Sequence, residues 1–213
     1  MSLSQERQYS RPDSVIFHKT RERFGGLSNM AGGFPLRVNG VRILTSEALY
    51  QACRFPKMPK VQKEIIAQKS PMTAKMKSKP HRVNSRRDWE RVRVEVMRWC
   101  LQVKLIQNWE KFSGLLRETG DRNIVEYSRK DDFWGAKPAD DNTLVGKNVL
   151  GRLLMELRKN ALGGSFTSSQ TASPPEIDDF LLYNEPIRPV VADIAPVMVE
   201  TTSIPRQMEL FSA

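Results

Sequence analysis

Val92, Val96, Trp99, Val103 and Ile106 recur at spacings of four, three, four and three. That is the period of a helix with one buried stripe, so this stretch is predicted to be the scaffold helix of the fold, with Arg91, Arg98 and Lys104 turned outward. Ser85 and Asp88 stand at capping-box spacing just ahead of it. Helical character continues over Phe112 to Leu116 until Thr119 and Gly120 stop it. An earlier helix is predicted over Thr45 to Phe55, where Leu49, Ala52 and Cys53 share a stripe, Thr45 is placed to cap, and Ser46 and Glu47 fall in the first turn. Pro56 and Pro59 end that helix and open another across Val61 to Gln68, and Pro71 opens a further short one. Leu153 to Leu157 belong to a final helix that reaches about Asn160.

Extended structure is predicted from about Ser14 through Phe17, in a hairpin from Phe34 to Leu44 that turns at Asn39-Gly40, and over Ile124 to Tyr127. Arg21 to Gly33 is punctuated by glycine, serine and asparagine and reads as a loop; Lys75 to Arg87, dense in lysine and arginine, reads as a basic connector. The expected fold is therefore α+β: one mixed, largely helical domain with a few short strands over residues 14–160. It follows a flexible N-terminus (1–13) and precedes a proline-containing acidic tail (161–213) that is extended and partly docked through Phe180 to Tyr183.

Composition narrows the class. A 39% hydrophobic fraction permits a real core, while 27% charged residues and the lack of any long apolar run argue against a membrane span. The N-terminus carries no apolar signal core, and Cys53 and Cys100 both fall in apolar helical patterns as buried thiols, so a cytoplasmic location is expected. His18 and His81 lack CxxC or HExxH partners, so zinc has no usual ligand set and no metal or cofactor is expected, although the aspartates leave carboxylate-bound magnesium open. Net charge changes the picture more. The whole chain carries +10, and residues 161–213, with two arginines and seven acids, carry −5, which leaves +15 on residues 1–160. An excess of that size implies an anionic partner such as a phosphorylated small molecule or nucleic acid.

The chemical candidates lie in four segments. Glu47 starts a helix after a strand, where aligned N–H groups favour an ionised carboxylate suited to act as a base or to stabilise a developing cation. LSNM at Leu27 to Met30 supplies the amide of Asn29 between glycine-rich turns. DDFWG places Trp134 beside Gly135, with Asp131, Asp132 and the nearby Asp140 as further acids. Gly146, Lys147 and Asn148 offer N–H groups, a cation and an amide just ahead of a helix, a layout suited to phosphate but not a P-loop.

Together these segments closely resemble the NADAR domain family, whose characterised members are similar to N-glycosidases. The matching stretches are LSNM, TSEALYQACRF (Thr45 to Phe55), Ser70-Pro71-Met72, IVEY (Ile124 to Tyr127), DDFWG and GKNVLGRLLMELR (Gly146 to Arg158), in family order over about residues 15–160. The resemblance implies water-dependent cleavage of an N-glycosidic bond at a phosphorylated ribose. It makes Glu47 the catalytic residue and Asn29, Ser46, Trp134, Gly135, Lys147 and Asn148 substrate-binding residues, with Asp131, Asp132 and Asp140 as acidic assistants. Ala48 and Ala136 stand where riboflavin-type members carry histidine and an acid, which turns the expectation from riboflavin intermediates towards ADP-ribosylated DNA.

The +15 body points the same way, and so does QMELF near the C-terminus (207–211), which resembles a sliding-clamp peptide with Gln207, Leu210 and Phe211 as its contacts. The expected function is removal of ADP-ribose from guanine, preferably in single-stranded DNA, with the protein acting as antitoxin to a DNA ADP-ribosyltransferase toxin. Free ADP-ribose derivatives or riboflavin intermediates are the alternative substrates for the same chemistry. A non-catalytic ADP-ribose or nucleic-acid binding module is the alternative of another class.

Overall fold

In the computed structural model, which describes residues 5–163 and 171–192, short strands flank a body of six helices. The chain begins with β1 (Arg7–Ser10) and β2 (Ser14–Phe17), followed by the hairpin β3 (Leu36–Val38) and β4 (Val41–Ile43). Helices α1 (Ser46–Cys53), α2 (Pro59–Ile66), α3 (Pro71–Ser78), α4 (Trp89–Gln107) and α5 (Trp109–Glu118) come next. Strands β5 (Asn123–Glu126), β6 (Lys137–Pro138) and β7 (Thr143–Gly146) lead into α6 (Val149–Leu162), and the tail adds a hairpin of β8 (Leu181–Leu182) and β9 (Glu185–Pro186). The fold is α+β and predominantly helical, as the periodicity predicts.

The α4 stripe is buried throughout, from Val92 to Ile106, and forms the centre of the main hydrophobic cluster. Each such side chain contributes roughly 1.5–3 kcal/mol by leaving water. Two expectations around this helix are corrected. Ser85 does not cap α4: its hydroxyl accepts the Arg54 Nε–H at 2.6 Å and donates to the Arg82 carbonyl, and no side chain caps α4 at Asp88. Helical character over Phe112 to Leu116 is borne out in α5, which ends at Glu118 with Thr119 as C-cap, and Asn108 (φ −133°, ψ 43°) separates it from α4 and donates its amide to the Pro35 and Lys104 carbonyls. Lys104, expected outside, is fully buried.

Strand pairing brings distant segments together. β2 and β5 pair in parallel, Phe17 opposite Glu126, and β7 lies between β1 and β6, antiparallel to both. Residues 7–10, inside the segment expected to be flexible, are thus the edge strand β1. The expected basic connector is also ordered: its first residues complete α3 and Lys79–Asn84 form a 3-10 turn.

The tail docks along α4 and α2. Phe180 meets Trp99 edge to face at 5.1 Å, and Gln62 binds both the Leu181 carbonyl and the Tyr183 N–H. The predicted clamp peptide at 207–211 lies outside the described residues. Among the described residues no helix is long and apolar enough to cross a membrane.

Candidate active site

Thr45 caps α1 by accepting the Ala48 N–H at 3.2 Å, which sets Glu47 in the first turn. The Glu47 side chain turns inward, and the residue is 5% exposed. Its Oε2 accepts the Asn29 amide at 2.6 Å, and its Oε1 accepts the amide of Gln51, one helical turn on, at 2.8 Å. Gln51 is oriented in turn by Ser78, whose hydroxyl donates to Gln51 Oε1 at 2.7 Å and ties α1 to the end of α3. Two donors therefore hold the carboxylate plane, and each oxygen keeps a lone pair for another donor.

Burial outweighs everything else acting on this carboxyl. It raises the Glu47 pKa above its ordinary value of 4.5, against the lowering effects of Lys75, the two amide bonds and Arg82. The favourable helix-end field inferred from sequence loses to desolvation. The group is thus less committed to the ionised form than its first-turn position implies, which suits a base that must take up a proton near neutral pH.

Asn29 is positioned by neighbours that the sequence reading assigned elsewhere. Ser46, taken as a substrate contact, is fully buried and lies 3.2 Å from the Asn29 carbonyl as its hydroxyl donor. Lys104 donates to the carbonyls of Gly26 (2.7 Å) and Ser28 (3.0 Å), with the Phe34 and Phe112 rings each 4.4 Å from its ammonium. Burial, then the charge of Lys111, lowers the Lys104 pKa to about 7. Asn29 Oδ1 is buried and has no hydrogen-bond partner among the described residues, so it is a ready acceptor for a substrate hydroxyl.

A second carboxyl senses the charge of Glu47. Glu126, half-buried at the end of β5, is pushed up to about 7 by burial, then by the charges of Asp131 and Glu47, with Lys75 opposing. The charge of Glu47 thus acts on Glu126, and the exposed Lys75 acts on both. Trp134 forms an aromatic wall: its ring meets Tyr50 edge to face at 5.8 Å, and the Arg93 guanidinium lies 3.8 Å from the adjoining Phe133 ring. Burial, then Glu47, raises the Tyr50 pKa well above its ordinary value, so its hydroxyl stays protonated.

The expected phosphate site at Gly146 to Asn148 is otherwise engaged. The N–H groups of Lys147, Asn148, Val149 and Leu150 donate to the carbonyls of Asp132, Gly135, Phe133 and Trp134 at 2.6 to 3.0 Å. The DDFWG loop thus supplies the acceptors that the start of α6 needs, and the N–H groups of residues 147–150 are not free for phosphate. Asn148 is in the left-handed region (φ 47°); its Oδ1 accepts the Glu126 N–H and its Nδ2 donates to the Ile124 carbonyl, locking α6 to β5. Gly135 is required by packing, since a Cβ there would stand 2.5 Å from the Glu126 carbonyl. Lys147 lies 5.6 Å from the Phe133 ring centre.

The three extra aspartates make bonds within the protein. Asp131 accepts the Phe133 and Trp134 N–H groups, Asp132 pairs with Lys137, and Asp140 accepts the Asn142 N–H in the turn between β6 and β7. Ala48 and Ala136 are fully buried, one in each hydrophobic cluster. The structure therefore brings together Asn29, Glu47 and Trp134 of the predicted residues, and adds Tyr50, Gln51, Lys75, Arg82 and Glu126. Gln51 was detectable from its spacing of four from Glu47. Glu126 lies in the IVEY stretch, but nothing local marked it as part of the site, because its ionisation is set by burial first and then by the charges of Asp131 and Glu47.

The NADAR domain family model matches residues 16–161. N-glycosidase YbiA of Escherichia coli (strain K12) is 36% identical over 157 residues, covering 73% of this chain and 94% of that protein. A riboflavin biosynthesis protein of Vibrio vulnificus is 34% identical over 147 residues, 68% of this chain and 38% of the relative. The solution structure of Escherichia coli YbiA superposes with a TM-score of 0.60 at 32% identity, covering 78% of this chain and 95% of that one.

Proposed function

The chain belongs to the NADAR domain family, and on that premise we propose that it is an N-glycosidase that hydrolyses the bond between ADP-ribose and guanine in DNA, single-stranded DNA above all. The observation that carries the reading is the Glu47 carboxylate, buried and clamped by the amides of Asn29 and Gln51.

The chemistry follows from these positions. Glu47 takes a proton from water, whose oxygen bonds to the anomeric carbon as the C–N bond breaks. The electron pair leaves with the guanine amine, and protonated Glu126 returns a proton to it. Two carboxyls in one site with different environments divide the base and acid roles between them. Positive charge that builds on the ribose during cleavage is stabilised by the Glu47 carboxylate. Asn29 Oδ1 holds a ribose hydroxyl, Trp134 and Tyr50 enclose the base, and Lys75 and Arg82 meet the diphosphate.

A DNA substrate accounts for the +15 carried by residues 1–160, which a free nucleotide does not need. A single strand avoids the unpairing energy of extracting a base from a duplex. In the cell the protein would act in the cytoplasm as antitoxin to a DNA ADP-ribosyltransferase. A second reading, phosphorylated riboflavin intermediates, is favoured by the relatives in Vibrio vulnificus and maize that are named riboflavin biosynthesis proteins. The departures at Ala48 and Ala136 weigh less against it than they do in sequence, because both side chains are buried.

The test is incubation of the purified protein with ADP-ribosylated single-stranded DNA, free ADP-ribosylated guanosine and riboflavin intermediates, followed by product masses. Restored guanine and free ADP-ribose are expected, while bound but unchanged substrate would make the protein a reader and not an enzyme. Glu47→Gln should retain binding and lose roughly 10²–10⁴-fold in turnover. Full turnover in that variant would refute the assignment.

A further inference from the structure

A groove of about 600 Å³ is walled by the chain after α1, the end of the 3-10 turn, the start of α4 and the docked tail. Four cations line it: Lys57, Arg86, Arg87 and Arg91. The Arg86 side chain is 6% exposed. Its Nε and Nη2 clasp Asp88 at 2.6 and 3.1 Å, its Nη2 also donates to the Asp178 carbonyl at 2.7 Å, and its Nη1 has no hydrogen-bond partner among the described residues. A guanidinium buried with one unused donor group is expensive to maintain unless something anionic uses it. The carboxylates in the groove leave that Nη1 group unused: Asp88 takes Nε and Nη2 of Arg86 and also Arg91, and Asp179 pairs with Lys57 in an exposed pair at 2.6 Å.

The positive surface continues from this groove towards Glu47. Arg54 binds Ser85 and lies over the Trp89 ring at 5.1 Å, and the charge of Arg82 acts on both Arg54 and Glu47. Along α3 and the turn after it, Lys75, Lys77 and Lys79 alternate with Met72, Met76 and Val83, which are 56, 63 and 89% exposed. Cations interleaved with exposed apolar side chains suit a ligand that presents phosphates and unstacked bases side by side. A duplex hides its bases, and an acidic peptide offers no flat faces to the methionines.

We propose that the groove lined by Lys57, Arg86, Arg87 and Arg91 binds the phosphodiester backbone of a single-stranded nucleic acid whose chain passes the Glu47 site, and that the Asp179 carboxylate, paired with Lys57, is a stand-in which a phosphate displaces. The proposal takes from the DNA reading only what occupies the Glu47 end; the groove itself needs no modified base.

The experiment is fluorescence anisotropy of the full chain with an unmodified, labelled single-stranded 12-mer over a range of salt concentrations. R87E/R91E should lose tenfold or more in affinity and flatten the slope of log K against log salt by about 1.4, the value for two phosphate contacts. D179N should bind several-fold more tightly. R21E/R42E, the same charge change outside the groove, should lose much less. R87E/R91E should keep its turnover on free ADP-ribosylated guanosine, and Glu47→Gln should bind the 12-mer as the parent does. Unchanged affinity and salt slope in R87E/R91E would overturn the proposal, as would equal losses in R21E/R42E. Displacement of the 12-mer by a peptide spanning residues 174–181 at lower concentration than by a second oligonucleotide would also overturn it, marking the groove as a peptide site. An inactive glycosidase that still binds the 12-mer through the groove would refute the proposed reaction and leave the groove standing.

Discussion

Replacing Glu126 by glutamine should stabilise the protein, by an amount that depends on pH. In the fold this carboxyl is moved from 4.5 to about 7 by burial first, with Asp131 and Glu47 adding and Lys75 opposing. A raised pKa means that the folded protein still holds a proton which the unfolded chain has released. The contribution is therefore fully present below about pH 4.5 and is lost as pH rises through about 7. The difference corresponds to about 3.4 kcal/mol at about 1.36 kcal/mol per unit, and solvent screening at a half-buried site reduces it to about 2 kcal/mol. Glutamine has nearly the same shape and never ionises. Wild-type and Glu126→Gln stabilities should thus coincide near pH 4.5 and separate to about 2 kcal/mol in the variant's favour by pH 7.5. Urea denaturation at half-unit pH steps, with an unchanged m-value, reads this directly. The same proton serves the leaving amine in the proposed reaction, so wild-type kcat should fall above about pH 7 and the slower variant should lack that limb. A stability difference of equal size at pH 4.5 and 7.5 would refute the reasoning, because it could not come from ionisation.

Three other substitutions test the remaining structure. Asn148→Ala removes both side-chain bonds to β5 and leaves alanine in the left-handed region; it should cost about 3 kcal/mol in urea denaturation with KM unchanged, whereas a raised KM at full stability would restore a substrate contact. Gly135→Ala sets a Cβ 2.5 Å from the Glu126 carbonyl, and should destabilise by about 1–3 kcal/mol while altering the near-ultraviolet dichroism of Trp134. For Lys104, whose pKa in the fold is lowered to about 7, the stability contribution is present above about 10.5 and lost as pH falls through about 7. Lys104→Met should abolish the resulting rise in stability between pH 7.5 and 9.5. It should also reduce turnover, since the Gly26 and Ser28 carbonyls lose their donor.

Much of the secondary structure was legible in the chain because it is written in local terms. The α4 stripe repeats with the helical period, Asn39-Gly40 adopts the positive φ values that a tight hairpin requires, and Thr45 caps α1 through its own side chain. The segments that misled are those whose partners are distant. Residues 7–10 have a weak extended pattern and become a strand only because β7 pairs with them, and Lys104 matches an outward-facing lysine until two rings and two carbonyls enclose it.

The site divides along the same line. Glu47, Asn29 and Trp134 could be named from their segments, since residue type and order along the chain are properties of sequence. Their roles could not, because role depends on solvation and on neighbours. Burial reversed the expected shift at Glu47, and the carbonyls of residues 132–135 consumed the N–H groups that looked free for phosphate. Glu126 acquired its raised pKa only where β5 meets the elements that carry Glu47 and Asp131. Sequence by itself determined the helices, the hairpin, the charge and the family. Tertiary packing decided which carboxyls share a site and which polar groups remain free to act, because desolvation and hydrogen-bond satisfaction are set by contacts between residues far apart in the chain.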